Sequence, residues 1–163
     1  MSEIIKSPLP YRLGAGIVVF NTDGLVLMGE RGDFPGNWQF PQGGIDAGEE
    51  PWPAAQRELY EETGIAEDKV TLLAETPDWL TYDFPPGITG HPIYGRHAGQ
   101  KQKWFAVRFL GADADMNLDA HHAPEFTRTA WMRLADAPDL IVPFKRELYQ
   151  TLAHEFARFA VAD

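Results

Sequence analysis

Residues 43–65 read GGIDAGEEPWPAAQRELYEETGI, and local signals in this stretch mark both ends of a helix. Pro51 presets the φ angle that a first helical turn requires, and Gly64 supplies the left-handed C-cap at which helices commonly end. We therefore predict a helix over residues 51–63. A helix of this length presents side chains from several turns on one side.

The last two turns of the predicted helix carry glutamates on one face. Glu58, Glu61 and Glu62 have the spacing i, i+3 and i+4, which puts neighbouring Cβ atoms about 5–6 Å apart. Carboxylates this close repel one another unless a positive charge lies between them, and oxygen-only ligands favour hard divalent cations such as Mg²⁺ or Mn²⁺. The alternative is a solvated acidic helix face. These residues alone leave both interpretations open.

Fixed residues around the glutamates favour the metal interpretation. From Gly43 to Ile65 the sequence follows the pattern Gly-x5-Glu-x7-Arg-Glu-Leu-x-Glu-Glu-x-Gly-Ile at every fixed position. In this respect the chain resembles the Nudix hydrolases, which use divalent ions held on the helix to hydrolyse a nucleoside diphosphate linked to another group. The resemblance implies an α+β fold, namely a Nudix-type α/β/α sandwich with a mixed β-sheet.

The resemblance also implies roles for residues of this stretch. Arg57 is expected to act in catalysis by orienting the carboxylates, Glu49 to pair with Arg57 as a structural strut, and Gly64 to end the helix. Gly43 is expected at the metal site, in a tight turn where positive φ disfavours a β-carbon. The expected cofactor is Mg²⁺ or Mn²⁺, with more than one ion bound. The implied metal-binding acids are Glu58, Glu61 and Glu62.

Composition limits the possible classes of protein and partner. A net charge of −10 argues against a broad electrostatic grip on nucleic acid, although a small basic pocket could hold a phosphorylated end. The absence of cysteine excludes disulfides, thiolate zinc sites and cysteine nucleophiles. The length predicts a single domain, residues 1–163, with a mobile tail over residues 1–10. No apolar run resembles a signal peptide or a membrane span, so we expect a cytoplasmic protein with no membrane partner.

Hydrophobic patterning predicts strands and a second helix around the central helix. An apolar stripe beginning at Phe144 predicts a C-terminal helix that starts at Pro143 and docks on the sheet. Residues 85–99 are rich in proline and glycine and are expected to form a functional or mobile loop. This arrangement indicates an α+β or mixed-sheet sandwich. The predicted strands cover residues 15–20, 25–28, 38–40, 70–75, 79–84, 104–110 and 129–132.

Segments outside residues 43–65 narrow the resemblance to one branch of the Nudix hydrolases. They are 38–44 (WQFPQGG), 100–105 (QKQKWF), 124–126 (PEF) and 143–146 (PFKR). Over nearly the whole chain, the sequence resembles bacterial RNA pyrophosphohydrolases and plant-type asymmetric diadenosine tetraphosphate hydrolases. The resemblance implies conversion of 5′-triphosphorylated RNA to 5′-monophosphorylated RNA, with hydrolysis of dinucleoside polyphosphates, such as diadenosine tetraphosphate to ATP and AMP. A dedicated dinucleoside polyphosphate hydrolase is the alternative.

Charged residues elsewhere are expected to join the site. Glu125, at the mouth of a predicted strand, reaches the metal as a fourth acid, and either Glu62 or Glu125 takes the proton of the attacking water. By resemblance, Arg12 and Arg31 hold phosphate or RNA backbone, since arginine suits bidentate phosphate contacts. An exposed loop carboxylate is the alternative for Glu125.

Aromatic and lysine side chains are expected to complete the substrate site. Tyr82 and Phe144 sandwich a purine ring, and Lys145 touches the phosphates. Lys103 shares a strand face with Lys101 and is expected to neutralise polyphosphate. The alternatives are that Phe144 only begins the apolar stripe and that both strand lysines are solvated.

Other functions fit the sequence less well. The segments beyond residues 43–65 argue against a nucleoside triphosphate sanitising hydrolase and against an ADP-ribose pyrophosphatase. A non-catalytic nucleotide-sensing module is disfavoured because all three helix acids are present; loss of Glu61 or Glu62 would have favoured it.

Overall fold

A mixed, eight-stranded β-sheet forms the centre of the protein in the computed structural model, which describes residues 9–120 and 124–162. The tail expected over residues 1–10 lies outside the described residues for positions 1–8. The strands are β1 (Tyr11–Phe20), β2 (Val26–Arg31), β3 (Trp38–Gln39), β4 (Gln42–Gly44), β5 (Val70–Glu75), β6 (Leu80–Asp83), β7 (Gly99–Phe109) and β8 (Phe126–Met132). The helices are α1 (Pro51–Thr63), α2 (Ile93–Arg96), α3 (Ala137–Leu140) and α4 (Arg146–Glu155).

The sheet is built on the long strands β1 and β7, which run parallel at its centre. The main strand order is β3-β2-β1-β7-β5, with β4 pairing with β1, β6 with β7 and β8 with β2. The remaining strand pairs in the described part of the chain are antiparallel. The sheet is therefore mixed, as predicted.

Helices cover both faces of the sheet. Because side chains alternate along a strand, β1 contributes to two separate cores. Ile17 and Val19 pack in the core that contains Leu59 of α1, whereas Val18 packs in the core that contains Leu152 of α4. The result is the predicted α/β/α sandwich.

Helix α1 has the predicted bounds. Pro51 stands at its start, and Gly64 caps its end with a φ of 76°, donating its backbone N–H to the Tyr60 carbonyl. The buried side of α1 includes Leu59, but it also includes the ionisable Glu62. No helix in the described part of the chain is long and apolar enough to span a membrane.

Other boundaries differ from the prediction. Strand β7 begins at Gly99 rather than residue 104, because its polar first half pairs with β1 from Tyr11 onward. The loop at 85–99 contains the short helix α2. Helix α4 begins at Arg146, three residues later than predicted, because Pro143–Lys145 form a 3₁₀ turn.

Candidate active site

Arg57, in the middle of α1, is the centre of a hydrogen-bonded cluster. Its guanidinium donates to both carboxylate oxygens of Glu49, each at 2.9 Å. It also donates to the Gly44 carbonyl at 2.8 Å, which ties the helix to β4. The remaining nitrogen donates to Glu58 at 2.8 Å and to Glu61 at 3.3 Å. One side chain thus sets the positions of several carboxylates.

Glu58 and Glu62 are carboxyl groups held away from water. Burial raises the pKa of Glu58 to about 7, and the Arg57 charge opposes this rise. Burial, followed by the negative charges of Glu125 and Glu58, raises the pKa of Glu62 well above its ordinary value. Glu62 Oε2 accepts the backbone N–H of Gln42 at 3.2 Å, but buried Oε1 has no hydrogen-bond partner in the described structure.

The chemistry of these carboxylates fits a divalent cation. Within residues 9–120 and 124–162, no three His, Asp or Glu side chains are arranged to hold a metal ion as they stand. Glu58 and Glu61 are turned towards Arg57, which explains why their oxygens do not converge on one point. However, the unpartnered Oε1 of Glu62 and the mutual repulsion between Glu62 and Glu125 are features that a bound cation would relieve. The carboxylates in this part of the structure therefore fit a divalent cation.

Gly43 has a different role from the one predicted. It lies in β4, paired with Ala15, and is not among the glycines with positive φ. The expectation of a tight turn at positive φ was wrong. Instead, a Cβ at position 43 would overlap the carboxylate of Glu58.

A cavity of about 570 Å³ opens beside the acids and has charges of both signs on its walls. Its remaining walls include the segment around α2, with the aromatic side chains of His91 and Tyr94. The acids that line the cavity are Asp33, Glu58, Glu61, Glu62 and Glu125. The basic residues that line it are Arg12, Arg31 and Lys145. A cavity with both acidic and basic residues suits a polyanion whose charge is shared with metal ions.

The basic residues differ in how far they are already paired. Arg31 donates to both oxygens of Asp33, at 2.8 and 2.7 Å. Arg12 lies against Gly44 and forms no ion pair with a described residue. Lys145 is buried, and its pKa falls to about 8, chiefly because of burial and then the Arg31 charge. Its ammonium lies 5.4 Å from the centre of the Tyr82 ring.

Tyr82 and Phe144 do not form the predicted purine sandwich. Their ring centroids lie 6.0 Å apart with an interplanar angle of 40°, so the rings contact each other and leave no space for a base. Burial raises the pKa of Tyr82, and the nearby Gln100 amide lowers it in part. The Tyr82 hydroxyl nevertheless forms no hydrogen bond of acceptable geometry with any described residue. Both residues do line the cavity, as one wall.

The expectation for Lys103 was also wrong. Its ammonium donates to the carbonyls of Thr76 at 3.0 Å and Pro77 at 3.3 Å, away from the cavity. Lys101 and Lys103 alternate with Gln100 and Gln102 along β7, and the cavity lies on the face that carries Gln100.

Glutamines are the functional candidates that sequence reasoning missed. Gln42 and Gln100 line the cavity, and buried Gln102 bonds to both. One signal was present: Gln100 and Gln102 occupy the same strand face as Trp104 and Ala106, a face that is otherwise apolar. Polar residues on a buried strand face indicate a hydrogen-bonding role.

A family profile described as the NUDIX domain matches residues 10–152, most of the chain. The chain belongs to the Nudix family. Proteins of this family hydrolyse phosphoanhydrides and generally use divalent metal ions, so the predicted enzyme class is confirmed.

Similar proteins include RNA pyrophosphohydrolases from several bacteria. The one from Rhodopseudomonas palustris (strain ATCC BAA-98 / CGA009) is 47% identical, with 94% of this chain and 96% of that protein covered. The one from Bradyrhizobium sp. (strain ORS 278) is 48% identical, with 93% and 95% covered. These full-length matches agree with the branch of the family predicted from the sequence.

Solved Nudix structures confirm the fold class. A C. elegans Ap4A hydrolase binary complex superimposes with a TM-score of 0.65 at 22% identity, covering 90% of this chain and 98% of that one. The E. coli dihydroneopterin triphosphate pyrophosphohydrolase gives a TM-score of 0.64 at 21% identity, covering 90% and 99%. At these identities the likeness establishes the α+β sandwich alone.

Proposed function

We propose that this Nudix hydrolase acts on the 5′ end of triphosphorylated RNA and leaves a 5′-monophosphate. The observation that carries the proposal is the cavity that acids of α1 line together with Arg12, Arg31 and Lys145. The RNA pyrophosphohydrolases to which the chain is 47–48% identical support RNA as the substrate. The same proposal treats the chain as one domain acting in the cytoplasm, where such RNA is made.

The proposed cofactor is Mg²⁺ or Mn²⁺, with more than one ion. Gly43 contributes by leaving space for the Glu58 carboxylate, and Arg57 holds Glu58 and Glu61 in place. When bound, a divalent cation would offset phosphate charge and make water more acidic. The residues proposed to hold the ions are Glu58, Glu61, Glu62 and Glu125.

Carboxylates also supply the proton acceptor. Water attacks phosphorus, a P–O anhydride bond breaks, and the departing phosphate or pyrophosphate carries away the bonding electron pair. The proton lost by water passes to Glu62 or Glu125. Glu62 is suited to this role because burial raises its pKa and because its Oε1 has no hydrogen-bond partner in the described structure.

Basic residues that line the same cavity position the phosphates. Arg12 is available for a bidentate phosphate contact, and Lys145 contributes a charge shielded from water. Phe144 offers one stacking face to a purine, instead of half of a sandwich. Because the net charge of the protein is −10, this local group of cations favours binding of an RNA end over binding along the length of an RNA.

Dinucleoside polyphosphates are the second candidate substrate class. Diadenosine tetraphosphate also presents a purine followed by a polyphosphate, and the cavity lining recognises those two features without needing a 3′ extension. Hydrolysis would yield ATP and AMP.

Turnover with Mg²⁺ tests the proposal, with triphosphorylated RNA and diadenosine tetraphosphate offered side by side. Faster removal of RNA 5′ phosphates supports the RNA assignment, whereas preferential formation of ATP and AMP supports the second candidate. Glu62→Gln should lose activity, and Glu67→Gln, at an exposed position beyond α1, should retain it. No turnover of either substrate, or full activity in Glu62→Gln, would contradict the mechanism.

A further inference from the structure

Three glutamines and a tryptophan form a directed hydrogen-bond chain behind the cavity wall. The Trp104 indole N–H donates to Gln102 Oε1 at 3.0 Å. The Gln102 amide nitrogen donates to Gln42 Oε1 at 2.8 Å and to Gln100 Oε1 at 3.3 Å. Trp104 and Gln102 are each only 1% exposed, so water does not compete for these bonds.

The direction of the chain follows from the indole. A Trp side chain has one donor and no acceptor, so the Gln102 atom that faces it must be the amide oxygen. Both amide hydrogens of Gln102 then point towards the other two glutamines. The side-chain oxygens of Gln42 and Gln100 must accept these hydrogen bonds, so the NH₂ groups of both residues point away from Gln102.

The side of Gln42 and Gln100 that points away from Gln102 is the cavity. Gln42 and Gln100 line it, whereas Gln102 and Trp104 do not. The side-chain nitrogen of Gln42 donates to no described residue, whereas the Gln100 amide also lies beside the Tyr82 hydroxyl and lowers its pKa. Neither nitrogen is sealed off as a buried atom without a partner. Both amide groups therefore present N–H donors at the cavity wall, Gln42 beside the acids and Gln100 beside Tyr82. Gln42 is also next to Glu62, whose carboxylate accepts its backbone N–H.

We infer that Trp104 and Gln102 are positioning residues, which orient Gln42 and Gln100 so that this wall of the cavity donates hydrogen bonds to acceptor-rich groups. The assignment of those groups as the substrate's phosphate oxygens rests on the proposed function. Without the indole, each glutamine could turn over and present a carbonyl oxygen, which would repel phosphate. The orientation therefore matters for substrate binding.

Variants at Gln102 test the orientation because this residue lies outside the cavity. In Gln102→Glu, one carboxylate oxygen still accepts the indole N–H, and the other must accept from Gln42 and Gln100, which turns their oxygens into the cavity. We expect KM to rise roughly tenfold or more while kcat changes little, since a donor to a charged group is lost from ground state and transition state alike. Gln102→Met removes the orientation without adding charge and should raise KM by a smaller factor.

Two controls separate positioning from a structural role. Gln150→Glu places the same change on the exposed side of α4 and should leave KM unaltered. A variant that merely unfolds in part would lower the apparent kcat at constant KM, and thermal unfolding of each protein measures that loss directly. An unchanged KM in either Gln102 variant, or a loss confined to kcat, would overturn the inference.

Binding of inorganic tripolyphosphate with Mg²⁺, measured by calorimetry, gives a readout that does not need turnover. We expect weaker binding in the order wild type, Gln102→Met, Gln102→Glu. If wild type hydrolyses neither nucleotide substrate, the proposed function fails but this ranking still tests the orientation. Equal binding by all three proteins, or no binding by wild type, would overturn it.

Discussion

Gly43 and Glu58 are packed so closely that the carboxylate of Glu58 occupies the space where a side chain at position 43 would begin. Gly43 belongs to β4 and Glu58 to α1, and Arg57 spans the same gap by donating to Glu58 and to the Gly44 carbonyl. The strand therefore acts as a template for the carboxylate cluster. Glycine at position 43 leaves the Glu58 carboxylate in place, and the backbone conformation there does not call for glycine.

Gly43→Ala should displace the Glu58 carboxylate and weaken the hold of the site on divalent ions. Residues that orient metal ligands are typically worth about 10–100-fold in metal affinity or activity, and we expect a loss in that range. Titration of activity with Mg²⁺ measures it. Gly95→Ala is the matched control, because a Cβ at Gly95 meets no atom within 4 Å. Equal Mg²⁺ dependence in the two variants would contradict the prediction.

Glu62→Gln should stabilise the metal-free protein while it abolishes activity. The folded-state pKa of Glu62 is raised, so the folded protein binds that proton more tightly than the unfolded chain does. The protonated Glu62 therefore favours the folded state fully below the unfolded-state pKa of this carboxyl group. This contribution to stability is lost as the pH rises through the folded-state pKa. With chelator present, the variant should therefore unfold at a higher temperature than wild type at pH 7.5, and the difference should shrink at pH 5. If Glu62→Gln instead unfolds at a lower temperature than wild type at pH 7.5, the Glu62 carboxylate does not destabilise the metal-free protein.

Lys145 should make substrate binding depend on pH. Its pKa of about 8 means that the ammonium loses its charge as pH rises above that value. We expect KM to increase between pH 8 and pH 9.5, and this increase should disappear in Lys145→Arg, because a guanidinium stays charged over that range. Steady-state kinetics across the range measure the effect. The same pH dependence in both proteins would exclude Lys145 as its origin.

Gly16→Ala should destabilise the fold by packing strain alone. Gly16 pairs with Trp104 across the parallel strands, and a Cβ at Gly16 would overlap the indole ring. Overpacking of this kind costs about 1–3 kcal/mol. Denaturant unfolding measures the cost, and Trp104→Phe in the same chain should recover part of it, because the overlap is with the ring that phenylalanine lacks. Additive losses in the double variant would contradict this account.

The local part of the fold could be predicted because its signals are local. Pro51 and Gly64 mark the ends of α1 through their own φ preferences, and the spacing of the three glutamates places them on one face whatever surrounds the helix. The family signature lies in the same continuous stretch. Strand alternation likewise predicted correctly that Lys101 and Lys103 share a face.

Packing between residues far apart in the sequence determined features that the alternation of side chains along a strand could not predict. Which face of β7 meets the cavity depends on where the loops and helices settle, so the lysines were assigned to the wrong face while Gln100 and Gln102 were missed. The contact between the Tyr82 and Phe144 rings joins segments far apart in the chain, and no local pattern excludes a base from between them.

The sequence by itself determined the family, the bounds of α1 and the face that carries its acids. The family follows from residue identities at fixed spacing, and the helix and its acidic face follow from local backbone preferences and helical periodicity. Tertiary structure decided the chemistry of those acids. Burial beneath β4 and the approach of Glu125 raise the pKa of Glu62, and Arg57 sets the direction of Glu58 and Glu61. A carboxylate's pKa depends on its solvation and on neighbouring charges, and neither exists until the chain has folded.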